Sequence, residues 1–310
     1  MDTYLAIDNG GTFIKYSVLS EDGVILRQGK EKTPGRDRSA EDYLRVLDKI
    51  MSWVNEDVRA ICVSMPGRVD ERRGVAQTAG SLSYFAGKNY RRILEERYSL
   101  PVSVENDGKC AALAELWKGN LQNVRCGAAL VFGTGSGGGF ILDGKIYRGA
   151  HFSAGEVNNM IFSPQSEFSR TSLLTASVST MGLLYRASLA KGCDFHTLTG
   201  EQFFEWLEEG DPVIRGVLDT FVKQTASFLF SLQAVLDLEV ITLGGGISKQ
   251  AAFIDGVRSV YTAMYEDAIF KEAGGCSSVP ARVVACAFDS DANMIGALYH
   301  HLTEKKPARV

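Results

Sequence analysis

One pattern occurs twice in this chain. Tyr4–Ile7 is an apolar run that breaks at Asp8-Asn9-Gly10-Gly11-Thr12; a second run covers Phe13–Leu19, Ser20-Glu21-Asp22-Gly23 turns, and Val24–Gln28 follows. From Cys126 the order returns: Cys126–Phe132, the corner Gly133-Thr134-Gly135-Ser136-Gly137-Gly138-Gly139, then Phe140–Leu142, Asp143-Gly144 and Lys145–Arg148. Strand-forming runs split by tight glycine turns read as antiparallel meanders. Each is followed by alternating helical and strand signals. After the first come a helix over Ala40–Val54 (Tyr43, Leu44, Leu47, Ile50, Met51 and Val54 at helical spacing), a strand at Ala60–Ser64, and a loop and helix over Leu82–Leu100. After the second come helices over Ser172–Leu189, Gly200–Glu208 and Pro212–Leu236, a strand at Val240–Leu243, a helix over Ala251–Phe270, a strand at Ala281–Cys286 and a last helix at Asp291–Leu302. A self-similar order of this kind implies a duplicated unit. The expected class is α/β with two lobes around a cleft. Residues 1–117 plus 289–310 form the N-terminal lobe and 118–288 the C-terminal lobe, with Lys118–Arg125 as the hinge between them.

Within the first copy, Pro101–Glu115 stands out. Val102, Ser103 and Val104 read as a buried strand, Glu105-Asn106-Asp107-Gly108 interrupts it, and Lys109–Trp117 resumes at helical spacing. A strand, a polar corner and a helix put Asn106 and Asp107 at the carboxyl end of a sheet, where open α/β folds hold ligands. One such residue suffices to cap the helix. Three polar residues in a row exceed that need.

Composition narrows the function. A net charge of −4 and the lack of a basic run argue against a nucleic-acid partner. No apolar stretch approaches a membrane span, and Met1–Asp8 lacks the features of a signal peptide, so a cytoplasmic protein is expected. The six cysteines, at 62, 110, 126, 193, 276 and 286, form no C-x-C or C-x-x-C pair and read as small buried hydrophobes in a reducing compartment. With the four histidines, at 151, 196, 300 and 301, they show no zinc spacing.

The glycine corners remain. Successive N–H groups of such a turn can converge on an anion. Gly10, Gly11 and Thr12 make one candidate nest, with Lys15 adding a cation from the next strand, and Gly133, Thr134 and Gly135 make its counterpart. Each is also readable as a plain hairpin turn. Neither fits the P-loop or the dinucleotide fingerprint, since both join strand to strand. Gly244-Gly245-Gly246 joins strand to helix and would let a flat ring or ribose approach the backbone. Asp8, at the end of the first strand, is placed to hold Mg²⁺ directly or through water, and is equally readable as a residue that initiates the turn.

Asp8-x-Gly-Gly-Thr12, Pro66-Gly67, Glu105-Asn-Asp107, Gly133-Thr-Gly135 with Gly137–Gly139, Gly155-Glu156 and Gly244–Gly246 occur in an order that resembles the ROK sugar kinases, from Leu5 to about Leu302. The resemblance implies the actin-like ATPase fold, with ribonuclease H-like halves, and transfer of phosphate from ATP, with Mg²⁺, to a sugar hydroxyl. By it, Asp107 is the general base; Gly67, Asn106, Glu156 and Asn159 lie at the sugar; Gly10–Thr12, Lys15 and Gly133–Gly135 hold phosphate; and Gly244–Gly246 border adenosine. It also implies a homodimer.

Departures from the family pattern bear on the substrate. Asn159 stands where most members have histidine, and Met160–Ser179 contains neither cysteine nor histidine, which places the chain with the zinc-free branch. Packing by Phe162, Phe168 and Leu173 is expected to hold that segment instead. The glutamate usual at the end of that segment also has no counterpart, so glucose is not assumed as the acceptor. The 6-hydroxyl of a hexose or hexoside is expected, with glucose, fructose or mannose, N-acetylmannosamine and a β-glucoside as candidates, the last because the altered pocket would be more open near the anomeric end. The competing reading is a catalytically weak or inactive sugar sensor. A DNA-reading repressor of the family is not expected, because only Met1-Asp2-Thr3 precede the first strand.

Overall fold

The computed structural model of the chain describes residues 1–54, 57–162, 169–267 and 279–304. They gather into two compact units: the described residues of Met1–Gln122, Ile146–Ala154 and Ser290–Val310, and those of Asn123–Lys145 and Gly155–Asp289. Ile146–Ala154, which the sequence reading left within 118–288, packs with the first unit because its Arg148 and Phe152 are tied there by Glu105 and Lys109.

The first unit begins with the meander β1 (Thr3–Asn9), β2 (Phe13–Ser20) and β3 (Ile25–Lys32), paired antiparallel. Helix α1 (Ala40–Trp53) starts at Ser39, which forms a capping box with Asp42, and buries Tyr43, Leu44, Leu47 and Ile50. Strand β4 (Val58–Met65) then lies parallel to β1. Three two-residue strands, β5 (Val69–Asp70), β6 (Val75–Ala76) and β7 (Lys88–Asn89), make a small antiparallel sheet. Strands this short leave no periodicity to read, and the sequence gives no sign of them. Helix α2 (Tyr90–Tyr98) leads to β8 (Val102–Asn106), parallel to β4, and then to α3 (Asp107–Lys118). The sheet order is β3-β2-β1-β4-β8. Helix α3 is buried from Gly108 through Glu115 and packs against the helix Ala292–Glu304. The two backbones meet at Gly296, where a Cβ would lie 1.8 Å from the Cys110 carbonyl oxygen.

The second unit repeats the scheme. Strands β9 (Gly127–Phe132), β10 (Ser136–Leu142) and β11 (Lys145–Tyr147) form the meander, and β11 carries the chain back to the first unit. After helices α4 (Leu174–Ser177), α5 (Thr180–Lys191), α6 (Gly200–Glu208) and α7 (Pro212–Leu236), strand β12 (Val240–Gly244) runs parallel to β9. Helix α8 (Ala251–Glu266) and strand β13 (Arg282–Ala285) complete the order β11-β10-β9-β12-β13. The duplication read from the sequence is therefore present strand for strand. Each unit has its own apolar core.

Two local expectations change. The corner after β9 is shorter than its glycines suggest, because Ser136–Gly139 are already strand. Glycine is needed at Gly138, where a Cβ would stand 2.4 Å from the Ala129 carbonyl oxygen. The single helix expected over Ser172–Leu189 is interrupted. Ser179 is extended and caps α5 by accepting the Gly182 N–H, which ends α4 and restarts the chain. Residues 268–270 of the helix expected over Ala251–Phe270 lie outside the described residues.

Candidate active site

In the first unit the polar corner after β8 is one connected network. The Asn106 side-chain oxygen accepts the Lys109 N–H at 3.0 Å, so Asn106 does cap α3. Its amide nitrogen donates to the Gly67 carbonyl at 2.8 Å and to Asp107 Oδ1 at 2.9 Å. Asp107 Oδ1 also accepts the Gly108 N–H at 2.8 Å. Two donors thus fix the orientation of a half-buried carboxylate. Gly67 has φ +87° and would bring a Cβ to 2.7 Å from the Thr78 carbonyl oxygen, so only glycine fits beneath Asn106. Glu105 faces away from this corner into the interior, as the alternation of a strand requires. It is fully buried, and its Oε2 lies 2.7 Å from Arg148 Nη2. Its Oε1 accepts the Asn106 backbone N–H at 2.8 Å, so the third polar residue joins the corner through the backbone and not through the Asn106 and Asp107 side chains.

Asp8 ends β1 beside β4. Its Oδ1 accepts from Ser64 Oγ at 2.9 Å and from Asn293 Nδ2 at 3.0 Å. Burial pushes its carboxyl above the ordinary range, and the two hydrogen bonds and the charge of Lys15, its register partner on β2, pull the other way. Oδ2 takes no hydrogen bond among the described residues. A hard oxygen left without a hydrogen bond in this way fits Mg²⁺ held through water. Asn9, next in the strand, is tied to the Ser64 carbonyl and to the buried Tyr43 hydroxyl, which fixes the base of the turn that follows.

The two glycine turns share a construction. In the first, the Gly10 N–H bends back to the Phe13 carbonyl at 3.1 Å; in the second, the Gly133 N–H reaches the Gly135 carbonyl at 2.9 Å. The N–H of the leading glycine of each is thus taken up in closing its turn. The next two N–H groups, of Gly11 and Thr12 and of Thr134 and Gly135, are on exposed residues and have no protein acceptor among the described residues.

In the second unit, Gly155 has φ +90° and sits on β10, where a Cβ would be 2.3 Å from the Gly138 carbonyl oxygen. The glycine run of β10 and Gly155 thus fix the start of the short helix Val157–Asn159, which Glu156 precedes. Asn159 is exposed, and its N–H bonds the Glu156 carbonyl. The segment beyond is closed by backbone bonds, Leu174 N–H to Met160 carbonyl at 2.7 Å and Phe162 N–H to Ser172 carbonyl at 2.9 Å. Phe162 packs on the core as expected, and Phe168 lies outside the described residues.

The same unit contains a cavity of about 360 Å³ bordered by Gly133, Thr134 and Gly246 and by Met181, Leu184 and Phe204. Of the Gly244–Gly246 turn, Gly245 serves the fold: at φ +94° its Cβ would lie 2.1 Å from the Phe132 carbonyl oxygen. Gly246 faces open space at the cavity. The apolar lining from α5 and α6 was not foreseen, because a Met or Phe on an amphipathic helix reads as core.

The ROK family profile matches residues 4–304. The chain belongs to the ROK family. A relative named beta-glucoside kinase, from Listeria monocytogenes, is 31% identical over 303 residues, covering 97% of each chain. Among solved structures, this ROK chain is similar to a ROK family protein from Streptococcus pneumoniae in complex with sucrose, with a TM-score of 0.85, 29% identity and coverage of 98% and 99%. It also shares the fold of a ROK glucokinase from Streptomyces griseus in complex with glucose and AMPPNP, with a TM-score of 0.82, 24% identity and coverage of 96% and 98%. The duplicated actin-like fold is thus that of the ROK sugar kinases.

Proposed function

We propose that this ROK protein is an ATP-dependent carbohydrate kinase that phosphorylates the 6-hydroxyl of a hexose or a β-glucoside, with Asp107 as general base. The observation that carries the reading is the corner where Gly67, Asn106 and Asp107 form one hydrogen-bonded set at the carboxyl ends of the parallel strands β4 and β8. Asp107 accepts the proton of the sugar hydroxyl as its oxygen bonds the γ-phosphorus; the bond to the bridging oxygen breaks and ADP leaves. A positioned base of this sort contributes about 10²–10⁴-fold in rate. Most of the remaining acceleration comes from positioning and charge neutralisation, because the transition state is loose. The exposed N–H pairs of Gly11–Thr12 and Thr134–Gly135 and the ammonium of Lys15 are the groups suited to phosphate oxygens. The apolar cavity of the second unit suits the adenine ring, with Gly246 letting the ribose lie against the backbone. Glu156 orients sugar hydroxyls as an acceptor-only carboxylate, and Asn159 borders that group. Mg²⁺ held through water by Asp8 would neutralise charge on the phosphates.

The β-glucoside enters because a relative that shares 31% identity with this chain carries that name. A coupled ADP-release assay over glucose, fructose, mannose, N-acetylmannosamine and cellobiose tests the reading. Turnover with at least one acceptor is expected, and Asp107→Asn should abolish it while ATP still binds. Near-wild-type turnover by that variant would refute the base assignment. Activity confined to monosaccharides would remove the glycoside.

A further inference from the structure

Helix α3 buries a lysine, and the kinase chemistry above does not use it. Lys109 is 1% exposed. Among the described residues no carboxylate pairs with its ammonium, whose acceptor is the Phe152 carbonyl at 3.2 Å. A cation buried without a counter-charge is costly, and it persists where its neighbours gain from it. The residue it holds is itself unusual. Phe152 has φ +60°, whereas the other described non-glycine residues with positive φ are Ser99, Asn123, Asp143 and Asp237, all short and polar. For a bulky aromatic residue this conformation is an outlier. Phe152 lies in a loop closed by the Ala154 N–H on the Arg148 carbonyl, and that loop runs directly into Gly155-Glu156. The backbone N–H of Lys109, meanwhile, bonds the Asn106 side chain that also holds Asp107. One residue is thus attached to the base's corner by its backbone and to the loop before Glu156 by its side chain.

We propose that Lys109 is a positioning residue for the sugar acceptor: its ammonium holds Phe152 in the left-handed conformation and so sets the course of the chain into Glu156. The proposal rests on the kinase reading for its link to the acceptor, and its structural half can be tested without it. Glycine adopts the conformation of Phe152 at no steric cost, so Phe152→Gly should remove the need for the lysine.

The test compares Lys109→Met, Phe152→Gly and the double variant with wild type by amide hydrogen exchange, thermal unfolding and steady-state kinetics. In Lys109→Met the Ala154 amide should exchange roughly tenfold faster and the acceptor KM should rise roughly tenfold, with kcat changed far less. Its Tm should not fall, because a buried unpaired charge has become apolar. The double variant should recover both the slow exchange and the low KM. Unchanged exchange in Lys109→Met, a double variant no better than the single, or a fall in Tm that tracks the loss of binding would overturn the proposal. A wild type inactive on every acceptor would sink the kinase reading and the acceptor role together. The exchange data would still decide whether Lys109 holds Phe152.

Discussion

Replacing Arg148 by Met should unsettle the first unit more than any other surface-connected change in it. Arg148 Nη2 and Nε both lie 2.7 Å from Glu105 Oε2, and Nε is also 3.4 Å from Glu71 Oε1. Without the guanidinium, the fully buried Glu105 keeps, among the described residues, only the N–H of Asn106, at 2.8 Å. Removing one partner of a buried ion pair costs about 3–5 kcal/mol, since the charge left behind is desolvated and uncompensated. Glu105→Gln is milder, at about 1–2 kcal/mol, because the amide oxygen can still accept and Arg148 retains Glu71. The double variant has no stranded charge at position 105, so it should cost about 2–3 kcal/mol less than the sum of the singles. The pH profile adds a signed check. Burial raises the carboxyl of Glu71 above its usual range, and Arg148 opposes that rise. In Arg148→Met the opposition is gone, and stability held by the protonated form below the ordinary carboxylate range is lost as pH climbs through the raised value. The deficit of the variant should therefore widen from acid to neutral pH. Calorimetric scans of the four proteins between pH 5 and 8 would measure it, with a Tm drop on the order of 10 °C for Arg148→Met. Additivity within about 0.5 kcal/mol, or a single-variant cost below about 1 kcal/mol, would refute the reasoning.

Other outcomes follow from the same geometry. Glu156→Ala should raise the acceptor KM with a smaller effect on kcat; an unchanged KM would remove it from the sugar. Asp8→Asn should lose activity yet raise Tm at neutral pH, where the wild-type carboxylate bears its burial cost. That gain should shrink as pH falls into the ordinary carboxylate range, because the wild type then becomes protonated and recovers its own stability. Gly245→Ala combines left-handed strain with a Cβ 2.1 Å from Phe132 O and should cost about 2–5 kcal/mol by thermal unfolding. Gly246→Ala, facing open space, should be near neutral in stability.

The parts of the fold legible in the sequence are those whose signal is local. The meanders, α1, α6 and α7 showed because apolar spacing and turn residues agree over many positions. The β5–β7 sheet and the break at Ser179 did not, since two-residue strands and a single capping serine are settled by tertiary contacts. At the candidate site, Asn106, Asp107 and Gly67 could be named individually, but their mutual hydrogen bonds depend on β4 and β8 lying side by side. Glu105, read with its two neighbours as one polar group, points to the opposite side of its strand, a distinction that requires knowing which face is the interior. The partners of Lys109 and Arg148 lie tens of positions away, and no spacing rule connects them.

Neither unit is a continuous stretch of polypeptide, for Ile146–Ala154 and the described residues from Ser290 onward belong with the opening portion of the chain. Dissecting the gene at any one boundary would therefore yield two broken pieces. A fragment ending at Gln122 would synthesise Glu105 and Asp8 while omitting Arg148 and Asn293, which neutralise or bind them. Such a product should be recovered as aggregate, and adding back the missing helix alone would satisfy Asp8 but leave Glu105 without its cation.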